Sequence, residues 1–365
     1  MKKIQLIAWC MWLSLTMMAA KPVKNVIFMI GDGMGLNQAY AAAMVKGEPL
    51  VMMSQAEATA LQETYSANKK VTDSAASGTA LACGVKTKNG MIGMDADSSR
   101  VESILRLADR NGKSTGIVVT CHLFHATPAA FFAQNVARGN YEEISRDLLT
   151  FSPDVFIGGG AKFLKNRKDG FPLAEELQAK QHQLFYNWND MKQSEAFIAG
   201  HPEKQGSLMG FCAEEHLPDM LEGRGDYLPQ AVAMSIDYLS RDKDGFVLMV
   251  EGSAIDFACH SSDVSGSVAE TLDFDKAVQV AIEFAKKDKN TLVVVTADHE
   301  TGGLSVLQKE DYQEGKTLKH KYTTTGHTGV PVPVYIYGAG AEAYPAFMQN
   351  SDHKAIMSRL MKLKK

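Results

Sequence analysis

Six short runs of nearly continuous apolar residues punctuate the chain. They are Asn25–Ile30 (NVIFMI), Gly116–Thr120 (GIVVT), Val155–Ile157, Phe246–Val250 (FVLMV), Thr291–Thr296 (TLVVVT) and Val332–Tyr337 (VPVYIY). A strand without polar alternation is one buried on both faces. Between these runs lie longer segments of helical character, at about Ala75–Cys83, Val101–Asn111, Pro229–Ser240, Val268–Asp288 and Asp352–Leu363. The alternation predicts an α/β three-layer sandwich, with a largely parallel central sheet and helices on both faces. Ligands of such sheets bind beyond the carboxyl ends of the strands, so candidate chemistry is sought there. No internal repeat, low-complexity tract or linker divides the chain.

The first strand runs into Gly31-Asp32-Gly33-Met34-Gly35, where glycines allow a tight turn and Asp32 projects. Thr291–Thr296 ends in Ala297-Asp298-His299-Glu300, and Phe246–Val250 ends in Glu251, followed by Asp256 and His260. Asp256 and His260 are four apart, which on a helix places both on one face. His327 stands in a Gly-His-Thr-Gly stretch before the last strand. One aspartate after a strand is more often a helix cap, and one such Asp/His pair more often a surface contact. Several strand ends that deliver Asp and His together point instead to a metal centre. These donors suit zinc, and extra carboxylates suit magnesium. Val71-Thr72-Asp73-Ser74-Ala75-Ala76-Ser77-Gly78-Thr79-Ala80 has the small residues and the Thr/Asp pair of a helix start. Ser74 then sits in a first turn, where free amides favour an anion. Taken alone the segment also fits plain capping or small-residue packing.

Composition narrows the classes. The chain has 365 residues, of which 45% are apolar and 22% charged, which excludes a disordered chain or a disulfide-stapled miniprotein. Lys plus Arg is 38 and Asp plus Glu is 42, a net charge of -4, so there is no basic excess to hold nucleic acid. Lys2 and Lys3 precede an apolar run from Ile4 to Met18, then Ala19 and Ala20, the pattern of a secretory signal peptide at 1–20. The run is short for a membrane span, which needs about 20 residues. Cleavage would leave 36 basic against 42 acidic residues, or -6. The expected location is periplasmic or secreted, with no membrane partner after cleavage. Cys83, Cys121, Cys212 and Cys259 lack a framework spacing and read as buried free thiols.

The segments NVIFMIGDGMG, VTDSAASGTA, GVKTKNG, HATPAAFFAQNVARGN, VEGSAID, TADHETGG and GHTG together resemble the alkaline phosphatases, the metal-dependent phosphomonoesterases. They run in family order from Asn25 to beyond His327, with VTDSAASGTA the most specific. The resemblance implies one catalytic domain over 21–365 that hydrolyses phosphate monoesters through a phosphoserine, with two Zn2+ and one Mg2+. It implies that Ser74 is the phosphorylated serine and that Arg138 clamps two phosphate oxygens. Asp32, Asp298 and His299 match the ligands of the zinc near Ser74, and Asp256, His260 and His327 those of the second zinc. Asp32, Thr127 and Glu251 match the magnesium site. His125 and Phe257 match the outer shell, where the best-known bacterial pattern has aspartate and lysine. Phe257 cannot hydrogen-bond to phosphate. Cys259 is not read as a ligand. The interval between His299 and His327 is short, and no long N-terminal arm precedes the first strand. Both features normally add to a homodimer interface, so the dimer is less secure here. Competing readings are a phosphodiesterase or sulfatase of the same superfamily, and a secreted phosphate- or metal-binding protein without turnover.

Overall fold

Ten strands share one sheet in the order β14-β2-β13-β8-β1-β7-β3-β4-β6-β5. They are β1 (Asn25–Gly31), β2 (Ala58–Glu63), β3 (Ser114–His122), β4 (Val155–Gly159), β5 (Gln183–Phe185), β6 (Leu208–Phe211), β7 (Phe246–Gly252), β8 (Thr291–Thr296), β13 (Val332–Gly338) and β14 (Phe347–Gln349). Only β13 runs against its neighbours, β2 and β8; every other pairing in this sheet is parallel. Two small antiparallel pairs lie outside it. One joins β9 (Glu300–Thr301) to β12 (His327–Thr328), the other β10 (Ser305–Val306) to β11 (His320–Lys321). This computed structural model describes residues 23–194, 197, 206–307 and 318–364. The signal segment expected at 1–20 lies outside the described residues. No described helix is long and apolar enough to cross a membrane.

Successive side chains of β1 feed two cores. Val26, Phe28 and Ile30 enter one, and Ile27 and Met29 the other, as the two-residue period of a strand requires. The first core is closed by the helices Ser74–Cys83, Ile104–Arg110, Ala126–Phe132 and Asp352–Leu360, through Ala75, Leu105, Phe131 and Met357. Tyr227–Leu239 and the long helix Val264–Asp288 close the second through Val232, Phe274 and Val278. Each buried side chain of Phe or Val size contributes about 1.5–3 kcal/mol. The three layers expected from the alternating pattern are thus present.

The central strands β8, β1, β7 and β3 are parallel neighbours. Their carboxyl ends therefore open on the same side. Asp32 follows β1, Glu251 is the last residue but one of β7, Asp298 follows β8, and His125 and Thr127 follow β3. Strand order alone brings together residues separated by up to 266 positions.

Candidate active site

Ser74 is the first residue of a ten-residue helix whose every side chain is buried. Asp73 caps it: Oδ1 accepts from the Ala76 amide at 3.0 Å and Oδ2 from the Gly90 amide at 2.9 Å. Small residues let this helix lie close to Ala126–Phe132, where a Cβ on Gly78 would stand 3.3 Å from Ala130 Cβ and Thr127 Cα. The two helices carrying Ser74 and Thr127 are thereby fixed to each other.

Ser74 Oγ lies 3.2 Å from His299 Nε2. The same nitrogen is 3.1 Å from Asp298 Oδ2 and 3.5 Å from Asp32 Oδ1. Asp298 is held by the amides of Gly33, at 3.1 Å, and His299, at 3.0 Å, on its Oδ1. Gly33 has φ +69, and a Cβ there would meet Thr301 Oγ1 at 2.7 Å and Asp256 Oδ1 at 2.9 Å. Only glycine fits this turn without strain.

A second group stands beside the first. His260 Nε2 is 3.2 Å from Asp256 Oδ2 and 3.2 Å from His327 Nε2, which in turn lies 3.7 Å from Asp256 Oδ1. The one-turn helix spacing of Asp256 and His260 thus becomes a contact. Pairing of β12 with β9 brings in His327, whose ring stacks on His299 at 3.5 Å between centroids. Backbone carbonyls fix the far nitrogens: Thr325 O lies 2.6 Å from His260 Nδ1 and Thr72 O 2.9 Å from His327 Nδ1. Such oxygens set which ring nitrogen is free to bind a metal.

A third group contains Glu251, Cys121 and His125. The Cys121 thiol donates to Glu251 Oε2 at 3.4 Å, and Thr127 lies close by. Arg138 reaches towards both His125 and the helix cap. Its Nη2 is 3.3 Å from His125 Nε2, and its Nη1 is 3.3 Å from Asp73 Oδ2. Phe257 packs edge-on against His125 and His216, at 5.7 and 4.9 Å between centroids.

Charge is concentrated here. Burial, then repulsion from Asp298, pushes the Asp32 carboxyl well above its usual range and Glu251 up to about 7. Burial alone would raise Asp298, but the adjacent His299 outweighs it and leaves Asp298 low. The hydrogen bond to Asp256 lifts His260 to about 9, whereas burial takes His327 down to about 4. Burial, with Arg138 beside it, brings His125 down to about 3.

Neither oxygen of the buried Asp32, nor Glu251 Oε1, accepts a hydrogen bond. A buried carboxylate without a partner is strongly destabilising unless a cation offsets it. Among the described residues, three sets each place their donor atoms within 4.8 Å of one another inside the set: Asp32, Asp298 and His299; Asp256, His299 and His327; and Cys121, His125 and Glu251. The donors therefore fit a cluster of divalent cations.

A family model described as alkaline phosphatase matches residues 23–323. Alkaline phosphatase 4 of Bacillus subtilis is 33% identical, covering 93% of this chain and 89% of its own. The Escherichia coli alkaline phosphatase is 32% identical over 94% of this chain and 87% of its own. The solved alkaline phosphatase of the Antarctic bacterium TAB5 superposes with a TM-score of 0.87 at 35% identity, over 95% of this chain and 100% of its own. The chain belongs to the alkaline phosphatase family. It is accordingly an enzyme of the phosphomonoesterase class. In two further structures of the TAB5 alkaline phosphatase a histidine is replaced by aspartate or glutamate and magnesium is bound in the site called M3.

Every site residue named from the sequence falls within this one region of the alkaline phosphatase fold. Several neighbours were not singled out. Asp73 both caps the Ser74 helix and orients Arg138; its place before Ser74 was the available signal. Thr301 donates to Asp256 Oδ1 and lies 3.2 Å from His299 Nδ1. His216 Nδ1 accepts from the His122 amide at 3.2 Å, and its ring packs against Phe257. Nothing local in the sequence marks His216. The four cysteines Cys83, Cys121, Cys212 and Cys259 are free; Cys212 is half-buried rather than buried. Cys259 Sγ faces Ser267 Oγ and Tyr322 OH rather than the metal-binding donors.

Proposed function

We propose that the chain hydrolyses phosphate monoesters through a phosphoserine at Ser74, in the periplasm or outside the cell. The observation that carries this reading is Ser74 Oγ at a helix start, 3.2 Å from His299 and beside the buried Asp32, neither of whose carboxyl oxygens accepts a hydrogen bond.

The ligand sets are Asp32, Asp298 and His299 for a zinc beside Ser74, and Asp256, His260 and His327 for a second zinc. Asp32, Thr127 and Glu251 would face a third divalent cation, magnesium by the family resemblance. Bound there, the cations would favour the serine alkoxide and offset charge on the entering and leaving oxygens. Magnesium in the M3 site of the TAB5 variants supports a metal-dependent reading.

The protein's own groups do the positioning. Asp73 takes the Ala76 amide and leaves those of Ser74 and Ala75 free at the positive end of the helix, where phosphate oxygens are favoured. Arg138, held by Asp73 and His125, presents its fork to two phosphate oxygens. Ser74 Oγ attacks phosphorus in line, the P–O bond to the alcohol breaks, and the alcohol departs. Water then attacks the phosphoserine, frees inorganic phosphate and restores the hydroxyl. Such fixed charges supply most of the rate enhancement.

The test combines zinc content with hydrolysis of phenyl phosphate, a phosphodiester and an aryl sulfate at alkaline pH. Bound zinc with preference for the monoester is expected. Preference for the diester or sulfate, or no turnover by zinc-loaded protein, refutes the reading.

A further inference from the structure

The loop that carries Asp298 and His299 is held by side chains outside both zinc ligand sets. Asp298 Oδ2 and His299 Nε2, 3.1 Å apart, are the atoms that would meet the zinc beside Ser74. The backbone behind them is fixed at two consecutive carbonyls. Ser77 Oγ donates to Asp298 O at 2.6 Å, and Gln62 Nε2 donates to Ala297 O at 2.8 Å. Both side chains are fully buried. Ser77 lies three residues after Ser74 in the same helix, so both sit on one face of it. One helix turn thus carries the proposed nucleophile and the hydroxyl that holds the backbone of its zinc ligand.

Asn350 directs this hydroxyl. It follows β14, is fully buried, and donates from Nδ2 to Ser77 Oγ at 2.8 Å, across 273 positions. Lys86 Nζ donates to its Oδ1 at 2.6 Å and lies 4.1 Å from the centre of the Tyr65 ring. An ammonium can only donate, and a backbone carbonyl can only accept. The two ends of the relay therefore fix its sense. The Asn350 oxygen faces Lys86, its NH2 faces Ser77, and the single hydroxyl hydrogen of Ser77 is left for Asp298 O. Gln62 is set in the same way. Its NH2 faces Ala297 O, so its Oε1 accepts from His353 Nε2 at 2.6 Å, and burial brings that imidazole down to about 3 and keeps it neutral. We propose that Ser77 and Asn350, oriented by Lys86, are positioning residues that hold Asp298 and His299 against Ser74 and so retain the zinc there. The inference rests on the zinc reading above and adds to it three residues outside both ligand sets.

Asn350→Asp keeps the shape and the acceptor for Lys86 but removes the donor. The Ser77 hydrogen then turns to the carboxylate and leaves Asp298 O. Asn350→Ala opens a larger void yet leaves that hydrogen on Asp298 O. The experiment is release of zinc from the holoenzyme to a coloured chelator, below the melting temperature, with melting recorded for each protein. Losing a group that orients a metal ligand costs about 10–100-fold in affinity. One zinc should therefore leave Asn350→Asp roughly 10- to 100-fold faster than it leaves the wild type, and the other at its former rate. Asn350→Ala should release both near the wild-type rate despite a lower Tm. Ser77→Ala, which removes one oxygen, should match Asn350→Asp. Release at the wild-type rate from Asn350→Asp or Ser77→Ala overturns the inference and leaves the phosphatase reading intact. Faster release from Asn350→Ala than from Asn350→Asp overturns it as well, because packing alone would then set retention. A wild-type holoenzyme that binds no zinc removes both. Ser77→Ala decides the question if neither Asn350 variant folds.

Discussion

Replacing Arg138 by alanine tests the phosphate clamp with little risk to the fold. The side chain is 30% exposed and its ion pair with Asp73 is half-open to solvent. Such pairs stabilise by about 0–1 kcal/mol. Asp73 keeps its bonds from the Ala76 and Gly90 amides, so the cap of the Ser74 helix survives. What is lost is the fork that would meet two phosphate oxygens. A charge-assisted bond contributes about 1.5–3 kcal/mol, which corresponds to roughly a 10- to 150-fold fall in kcat/KM. Arg138→Lys keeps a charge without the fork, so it should recover part of the loss. The assay is kcat/KM for phenyl phosphate in the three proteins, with thermal melting as a control for folding. Unchanged kcat/KM in the alanine variant, or full recovery with lysine, refutes the clamp.

Gly33→Ala places a Cβ against Thr301 and Asp256 at positive φ; about 1–3 kcal/mol of strain should lower the Tm and weaken zinc retention, and an unchanged Tm would argue against the turn geometry. Chelation should destabilise the protein more at pH 8 than at pH 5. Burial and then Asp298 hold Glu251 up to about 7 when no cation is present. A raised carboxyl contributes stability below its unfolded value of about 4.3 and loses it as pH rises through about 7. Melting of stripped and loaded protein across pH 5–8 checks this, and equal slopes contradict it. Phe257→Lys with His125→Asp should tighten inhibition by phosphate and lower the magnesium needed for full activity, because both side chains contact one another beside Arg138. Their effects should not add simply, and equal or weaker phosphate inhibition in the double variant sinks the outer-shell argument.

The parts of the site that follow continuous apolar strands were legible in the sequence. A doubly buried strand announces itself, and the polar residue that ends it stands at a predictable edge. Asp32, Glu251 and Asp298 are of this kind. Helix starts read nearly as well: Ser74 was placed in a first turn, and Asp73 proves to be its cap. The peripheral strands were not legible. β2 (ATALQE) keeps one face exposed and has an ordinary composition, while β5 and β14 are three residues each. The alanine-rich helix Leu36–Lys46 shows almost no amphipathic pattern, since Ala39, Ala41, Ala42 and Ala43 are buried on several sides. The meeting of Cys121 with Glu251 is set by the β3–β7 pairing across 130 residues, and no local signal foretells it. Cys121 was therefore read only as a buried thiol. Phe257 was read as unable to grip phosphate; its packing against His125 and His216 shows what it does instead.

The central claim is that Ser74 carries the phosphoryl group during turnover. The most direct measurement is acid quenching of zinc-loaded enzyme during hydrolysis of a phosphate monoester, followed by peptide mass spectrometry. The account predicts one phosphate on the peptide containing Ser74, and none on the Ser74→Ala protein. Turnover by the wild-type enzyme with phosphate on another residue, or covalent phosphate persisting in Ser74→Ala, would contradict it.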